Sequence, residues 1–414
     1  MPALFTNARN LSRQQKIMLT DVIDRIFSGL DLTDTQRERI ETAYKAVGSY
    51  LASCDEPLLE GAKVYAQGSV RLRTAVKPLG RDEFDVDLIL FLPNAKNASR
   101  DEIVSVVKQH LLKHNVYGEL LEELPRGFRI NYKGDYHLDI TPAKEYDSAQ
   151  LLGYPLWVVD KRSEFKESNP EGMASTFDQC CLLKPKLVVQ KSLYAALNSR
   201  SVEELPDQSI KHLLNRIVQI IKRHRDVWAQ DKGNIYAQFK PISVLLTTLA
   251  SKAYKEVVEA GKEYDNEFDL ILDVIELMPH HIESELGQIL VANPAMRAEN
   301  YAEKWNRVKD NEGFKLQQAF FEWHKAAVLS FENMISDEKN GLDNLFSSLS
   351  SSFGSRAVAM TRDKYIAEIN NAREKDKLSV ILGSGALTVT QSKSASANVT
   401  QAITPVRRNQ FYGD

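Results

Sequence analysis

Cysteine is scarce in this chain of 414 residues: Cys54, Cys180 and Cys181 make an odd number with no ladder of spacings. That excludes a disulfide framework as the organising device and makes a reducing, cytoplasmic setting the expectation. No apolar run approaches the roughly 20 residues that span a bilayer, and residues 1–15 lack the basic-then-apolar order of a secretory signal. No membrane partner is expected. An excess of positive charge is missing as well. The 53 Lys and Arg stand against 56 Asp and Glu, so the composition does not advertise a surface built to attract nucleic acid. No fixed-period repeat is found. With 43% hydrophobic and 26% charged residues the chain reads as globular, long enough for two domains or one large two-lobed unit.

What the chain does have is ordered. Thr33-Asp34-Thr35-Gln36 has the form of a capping box. Behind it Ile40, Ala43, Tyr44, Val47 and Leu51 recur at helical spacing, which predicts an amphipathic helix over 34–53. Lys63 to Ser69 reads as a short strand ending in a Gly-Ser turn. Residues 71–83 follow as a loop rich in Arg, Lys, Pro and Gly, and then Phe84 to Leu92 as a second strand. Ser99-Arg100-Asp101-Glu102 is a second capping box, opening a helix through Leu112. Phe128 to Tyr132 and Tyr136 to Ile140, joined by Lys133-Gly134-Asp135, alternate as a hairpin does. On its second strand Tyr136, Leu138 and Ile140 share one face, and His137, Asp139 and Thr141 the other. The first 145 residues are therefore α+β. From about Phe177 to Lys375 the pattern is almost wholly helical. Ile210, Leu213, Leu214, Ile217, Ile221, His224 and Trp228 trace one stripe, and Pro241 stands where the first turn of another helix, Ile242 to Val257, should begin. After Ser379 the periodicity gives way to Gly, Ser, Thr and Ala, the composition of a mobile tail.

Asp85-Val86-Asp87 begins the second strand. Residues two apart in a strand share a face, so both carboxylates project together while Val86 turns to the core. Paired carboxylates repel and are costly to desolvate unless a cation sits between them. Mg²⁺ takes oxygen ligands, commonly one or two carboxylates plus substrate phosphates. A third carboxylate on a neighbouring strand would complete a two-metal site, and Asp139 is the candidate. Taken alone, an acidic strand end is more often a solvated edge. Gly68-Ser69 strengthens the pattern: a Gly after a strand lets the backbone approach a phosphate, which the Ser hydroxyl and nearby N–H groups can hold. By itself that pair is also an ordinary turn.

Together, Gly-Ser, Asp-apolar-Asp-apolar and a distant strand Asp resemble the polymerase β-like nucleotidyltransferase superfamily. Within it the sequence is similar to the bacterial relatives of cyclic GMP-AMP synthase, the CD-NTases of CBASS antiphage signalling. The resemblance rests on Gln67-Gly68-Ser69, Asp85-Val86-Asp87-Leu88 and His137-Leu138-Asp139-Ile140-Thr141-Pro142. It continues through Ser168-Asn169-Pro170, Ile221-Lys222-Arg223-His224-Arg225-Asp226 and Lys240-Pro241-Ile242-Ser243, then Asn293-Pro294 and Glu299-Asn300. One departure is a Ser69-to-Asp85 spacing on the long side of the family pattern, which bears on the loop over the nucleotide but removes no ligand.

The resemblance implies an α+β fold. A polymerase β-like nucleotidyltransferase lobe with a mixed or antiparallel sheet covers 1–175, with an N-terminal helix packing across both lobes. A helical lobe covers 176–378 and a flexible tail 379–414. It implies Mg²⁺-dependent nucleotidyl transfer, with two ions held by Asp85, Asp87 and Asp139 and Mn²⁺ able to substitute. Gln67, Gly68, Ser69, Lys222 and Ser243 would bind nucleotide. Physics agrees for Ser243, which lies in a first helical turn where free N–H groups and the helix dipole favour a phosphate. Lys222 reads equally as a solvated residue, because Arg223 and Arg225 flank it. The implied substrate is ATP, alone or with GTP, and the product a cyclic di- or trinucleotide second messenger for an antiphage effector. Some members of the family are regulated through the C-terminus by ubiquitin-transfer-like partners, so the segment from Val406 to Asp414, which by itself reads more readily as a frayed terminus, is a candidate docking end. The animal relative carries zinc on adjacent cysteines, but structural zinc takes four ligands and no Cys follows Cys181. The pair is assigned to packing, and no double-stranded nucleic-acid activator is expected. Three other classes remain at this point: an enzyme adding nucleotides to RNA, which needs a basic tracking surface; a nucleotidyl-modifying toxin, which would be smaller; and a non-catalytic scaffold, which should have lost a carboxylate.

Overall fold

Two capping boxes open the chain. Ser12 and Gln15 exchange side chain–backbone hydrogen bonds at the start of α1 (Arg13–Leu30), and Thr33 and Gln36 do the same at the start of α2 (Asp34–Ala52). The computed structural model describes residues 5, 9–53, 55–79, 84–132, 136–147, 151–187, 212–231, 233–338, 342–381, 387–389 and 403–406. Cys54, the expected Lys133-Gly134-Asp135 turn, Ile210 and the chain end after Val406 lie outside the described residues.

The first lobe is built on a seven-stranded mixed sheet. Its strands are β1 (Lys63–Ala66), β2 (Phe84–Phe91), β3 (Leu121–Leu124), β4 (Gly127–Tyr132), β5 (Tyr136–Glu145), β6 (Leu156–Asp160) and β7 (Glu164–Ser168). They run in the order β1-β2-β5-β4-β3, with β6 joining the far half of β5 and β7 lying outside β6. The β2–β5 pair is parallel, and the other pairs are antiparallel. Alternation sorts the side chains. Val86, Leu88 and Leu90 of β2, Phe128 and Ile130 of β4, and Leu138 and Ile140 of β5 are buried together with Ile40, Val47 and Leu51 of α2. The short α3 (Gly68–Arg71) follows β1. Ile103, Val107 and Leu111 of α4 (Arg100–Lys113), whose Ser99–Glu102 box also forms and which leads into α5 (Asn115–Leu120), fill the same core. The face turned away from these helices carries Asp85, Asp87, Arg129, His137 and Asp139.

A second apolar core joins the helices of the other half. It contains α7 (Leu213–Gln230), α8 (Ser243–Glu259), α9 (Glu267–Leu277), α10 (Glu312–Glu338) and α11 (Leu342–Phe353), followed by α12 (Ser355–Glu374). Leu19, Val22, Ile23, Ile26 and Phe27 of α1 are buried in this core rather than in that of the sheet. Ala174, Phe177, Cys180 and Cys181 of α6 (Pro170–Leu182) join them. The helical core thus also draws on α1 and α6, which begin within residues 1–175, because an amphipathic stripe shows that a helix buries a face without saying against which partner.

Three expectations change. The stretch from 177 to 375, expected to be almost wholly helical, also holds short strands. Among the described residues β8 (Lys186–Leu187) pairs in parallel with β9 (Glu263–Tyr264), and β10 (Glu283–Glu285) with β11 (Gln288–Leu290) and β12 (Ala292–Asn293) with β13 (Met296–Asn300) form small antiparallel pairs. Strands of two to five residues are too short to show a period. Helix α8 begins at Ser243 with Ile242 as its N-cap, so Pro241 precedes the helix instead of sitting in its first turn. Among the described residues the expected tail holds strands: β14 (Leu378–Ile381) pairs with β15 (Leu387–Val389) and with β16 (Ile403–Pro405). Among the described residues no helix is long and apolar enough to cross a membrane.

Candidate active site

The three carboxylates are brought together by strand register. In the parallel β2–β5 pair, Asp87 stands opposite Asp139 and Asp85 opposite His137. All four residues share the open face. On the other side of β5, Arg129 of β4 stands opposite Asp139. Its Nε and Nη2 donate to the two oxygens of Asp139, each at 2.7 Å, and Nη2 also reaches Asp85 Oδ1 at 3.2 Å. Sequence reasoning missed Arg129. The signal was present, because a hairpin closing through residues 133–135 pairs 132 with 136 and hence 129 with 139.

The turn after β1 is pressed against the same group. The Gln67 amide donates to the Asp87 carbonyl at 2.8 Å. Gly68 has φ of 61°, a left-handed conformation that favours glycine. A Cβ at that position would lie 2.4 Å from Asp87 Oδ2. Ser69 lies in the short turn of helix Gly68–Arg71, and its carbonyl accepts from the Thr74 amide at 2.9 Å. Burial, and then the charges of Asp139 and Asp85, push the Asp87 carboxyl up to about 6; Lys222 and Arg129 oppose this. Burial also raises Asp85, against the pull of Arg129.

Lys222 is not a solvated residue. It is only 7% exposed, and its Nζ donates to the Thr74 carbonyl at 3.0 Å. Desolvation lowers it to about 8, helped by the nearby charge of Arg225 and opposed by Asp226 and Asp87. Its neighbours behave alike. Arg223 donates to the carbonyls of Phe353 and Lys77, and Arg225 to that of Pro241, so this basic run fastens loops to α7. Ser243 is the first residue of α8, and its hydroxyl accepts from Arg225 at 3.2 Å. Lys240, paired with Asp226, adds positive potential at Asp85. Lys222 thus joins the carboxylates electrostatically, whereas the bond described for Ser243 is to Arg225.

Hard carboxylate oxygens on one face are the donor set that Mg²⁺ prefers, and a desolvated Asp87 beside two like charges is short of a cation. The residues therefore fit a divalent ion in kind and position. As the side chains stand, however, no three His, Cys, Asp or Glu groups among the described residues converge tightly enough to enclose a metal, and Asp139 is turned to Arg129.

Other motifs meet elsewhere. Glu299 accepts from Ser168 Oγ at 2.8 Å, the Asn169 amide at 2.8 Å and Asn293 Nδ2 at 2.7 Å. This joins the start of α6 to the β12–β13 pair. Cys180 and Cys181 are buried in the helical core, with the Cys181 thiol near Asn215.

Residues 19–180 match the Second Messenger Oligonucleotide or Dinucleotide Synthetase domain. A c-di-GMP synthase of Roseivirga ehrenbergii is 27% identical over 305 residues, covering 71% of this chain and 75% of that protein. Among solved structures, Bradyrhizobium diazoefficiens CdnG in complex with GTP superposes with a TM-score of 0.61 at 20% identity, covering 83% of this chain and 97% of that one. Escherichia coli MS115-1 CdnC with ATP superposes with a TM-score of 0.55 at 12% identity, covering 81% and 97%. These two structures carry the fold.

Proposed function

We propose that this chain, which belongs to the bacterial CD-NTase family, uses the open face of its sheet to join nucleoside triphosphates into a cyclic oligonucleotide second messenger. The observation that carries the reading is the side-by-side register of Asp87 and Asp139, with Asp85 on the same face and Gly68 pressed onto Asp87. In it, Asp85, Asp87 and Asp139 hold Mg²⁺, or Mn²⁺ in its place. Divalent ions bound there neutralise triphosphate charge and lower the pKa of the acceptor hydroxyl.

The remaining groups bind and align. Gln67, Gly68 and Ser69 offer backbone and hydroxyl to the donor phosphates. Lys222, held beneath them by the Thr74 carbonyl, supplies a buried positive charge, and Ser243 offers the N-terminus of α8. The strand register fixes where the carboxylates and the turn stand before any nucleotide arrives, which supports alignment of the reacting groups, while Asp139 has still to leave Arg129. The substrates we assign are ATP, alone or with GTP. The relation to a c-di-GMP synthase supports testing GTP in both donor and acceptor roles. The product signals to an antiphage effector, and a regulatory partner of the ubiquitin-transfer type takes the C-terminal end.

Incubating the purified chain with each pair of labelled nucleoside triphosphates and Mg²⁺, followed by mass spectrometry, tests this. A cyclic product that vanishes with EDTA is expected. Only linear additions to RNA, or a nucleotide attached to protein, would overturn the assignment.

A further inference from the structure

We infer that Arg129 is a built-in counter-cation that holds Asp139 and Asp85 closed to divalent metal and gives way when metal binds. The inference rests on the metal reading above. The guanidinium meets Asp139 fork against fork, two bonds of 2.7 Å on the two carboxylate oxygens, and its Nη2 extends to Asp85 at 3.2 Å. One side chain therefore links carboxylates from both strands of the parallel pair. Lysine offers a point charge, whereas the planar arginine fork satisfies a whole carboxylate and still has a donor for a second.

Three carboxylates on one sheet face repel one another whenever no cation lies among them. The register puts Arg129 opposite Asp139, so the compensating charge is part of the sheet. It also explains why the acidic side chains do not enclose a metal as they stand. The Arg129 side chain is 26% exposed, so it can swing towards solvent without opening the core. A different role would be to orient Asp139 for the metal from behind, as outer partners of metal ligands do. The two roles predict opposite changes in affinity when the guanidinium is removed.

The experiment titrates the full-length, EDTA-stripped chain with MnCl₂ alone, without nucleotide, and follows free Mn²⁺ by electron paramagnetic resonance. Arg129→Gln should bind Mn²⁺ about three- to tenfold tighter than wild type, the scale of a partly exposed ion pair. Its melting temperature without metal should fall below that of wild type and be restored by Mn²⁺. Arg129→Lys, which keeps the charge but loses the fork, should lie between. Unchanged or weaker binding in both variants overturns the inference and makes Arg129 an orienting residue. The Asp85→Asn/Asp87→Asn double variant separates the two levels. If wild type and this variant bind Mn²⁺ alike, the metal reading fails and the inference fails with it. If only the double variant loses binding, the metal reading stands and the Arg129 variants decide.

Discussion

Gly68 and Asp87 approach so closely that a methyl group on the first would sit 2.4 Å from a carboxylate oxygen of the second. The backbone at Gly68 also has φ of 61°, where an L-residue is strained by about 1–3 kcal/mol. Gly68→Ala must therefore shift either the turn or the carboxylate. A displacement of about 1 Å at a reacting centre can cost on the order of a hundredfold in rate. We expect kcat/KM to fall by about that factor while the melting temperature drops by only a few degrees. Steady-state kinetics beside thermal melts checks this, and activity above a tenth of wild type would show that the turn does not set the geometry.

The Asp85→Asn/Asp87→Asn variant should make no product yet fold at least as well as wild type in EDTA. Asp87 is raised to about 6, above its unfolded value near 3.9, so its ionised form is disfavoured in the folded chain. The stability it contributes is full below about pH 4 and is lost as pH rises through 6. Metal-free wild type should accordingly lose stability relative to the double variant between pH 5 and 7.5. Parallel melts at the two pH values would expose a flat difference, which would place Asp87 in water.

Lys222→Met should raise the KM for the donor nucleotide by roughly tenfold, the value of one charge-assisted phosphate contact of ~1–3 kcal/mol. Stability moves the other way with pH than for Asp87. Burial lowers Lys222 to about 8, so charging it inside the fold is unfavourable and the penalty fades as pH rises through 8. Wild type should gain on the variant between pH 7 and 9. An unchanged KM would leave the lysine with only its bond to the Thr74 carbonyl.

The strands and helices nearest the site were legible because each obeys a local rule. Capping boxes at Thr33 and Ser99 begin helices, and two-residue alternation puts Asp85, Asp87 and Asp139 on a common face. Only the pairing of β2 with β5 lies beyond local pattern, since parallel neighbours distant in sequence are chosen by the core. Arg129 could have been placed by hairpin arithmetic, yet a lone strand arginine carries no flag. Lys222 stayed open between two readings for a physical reason: a basic run looks solvated in sequence, and the backbone carbonyls from other segments that receive Lys222, Arg223 and Arg225 are not visible there. The strands from Leu378 onward are too brief to show a period at all.

The knot around Glu299 yields the last prediction. Asn169 and Asn293 are almost wholly buried, at 0% and 1% exposure, and both donate to this carboxylate. Ser168 donates as well, and Tyr301 bonds to it. Glu299→Ala takes the acceptor from the Asn169 amide and from one N–H of the Asn293 side chain, whose nitrogen keeps its bond to the Asn169 carbonyl, and each donor left unpaired in a dry place costs about 1–3 kcal/mol. Glu299→Gln is milder, because its oxygen can take the two buried donors while its amide donates to the Ser168 hydroxyl, which can turn to accept. The alanine variant should therefore lose ~2–4 kcal/mol and the glutamine variant about 1 kcal/mol, read from urea unfolding followed by fluorescence. Equal losses in the two variants would mean that the negative charge, rather than the pairing of buried donors, holds α6 to the β12–β13 pair.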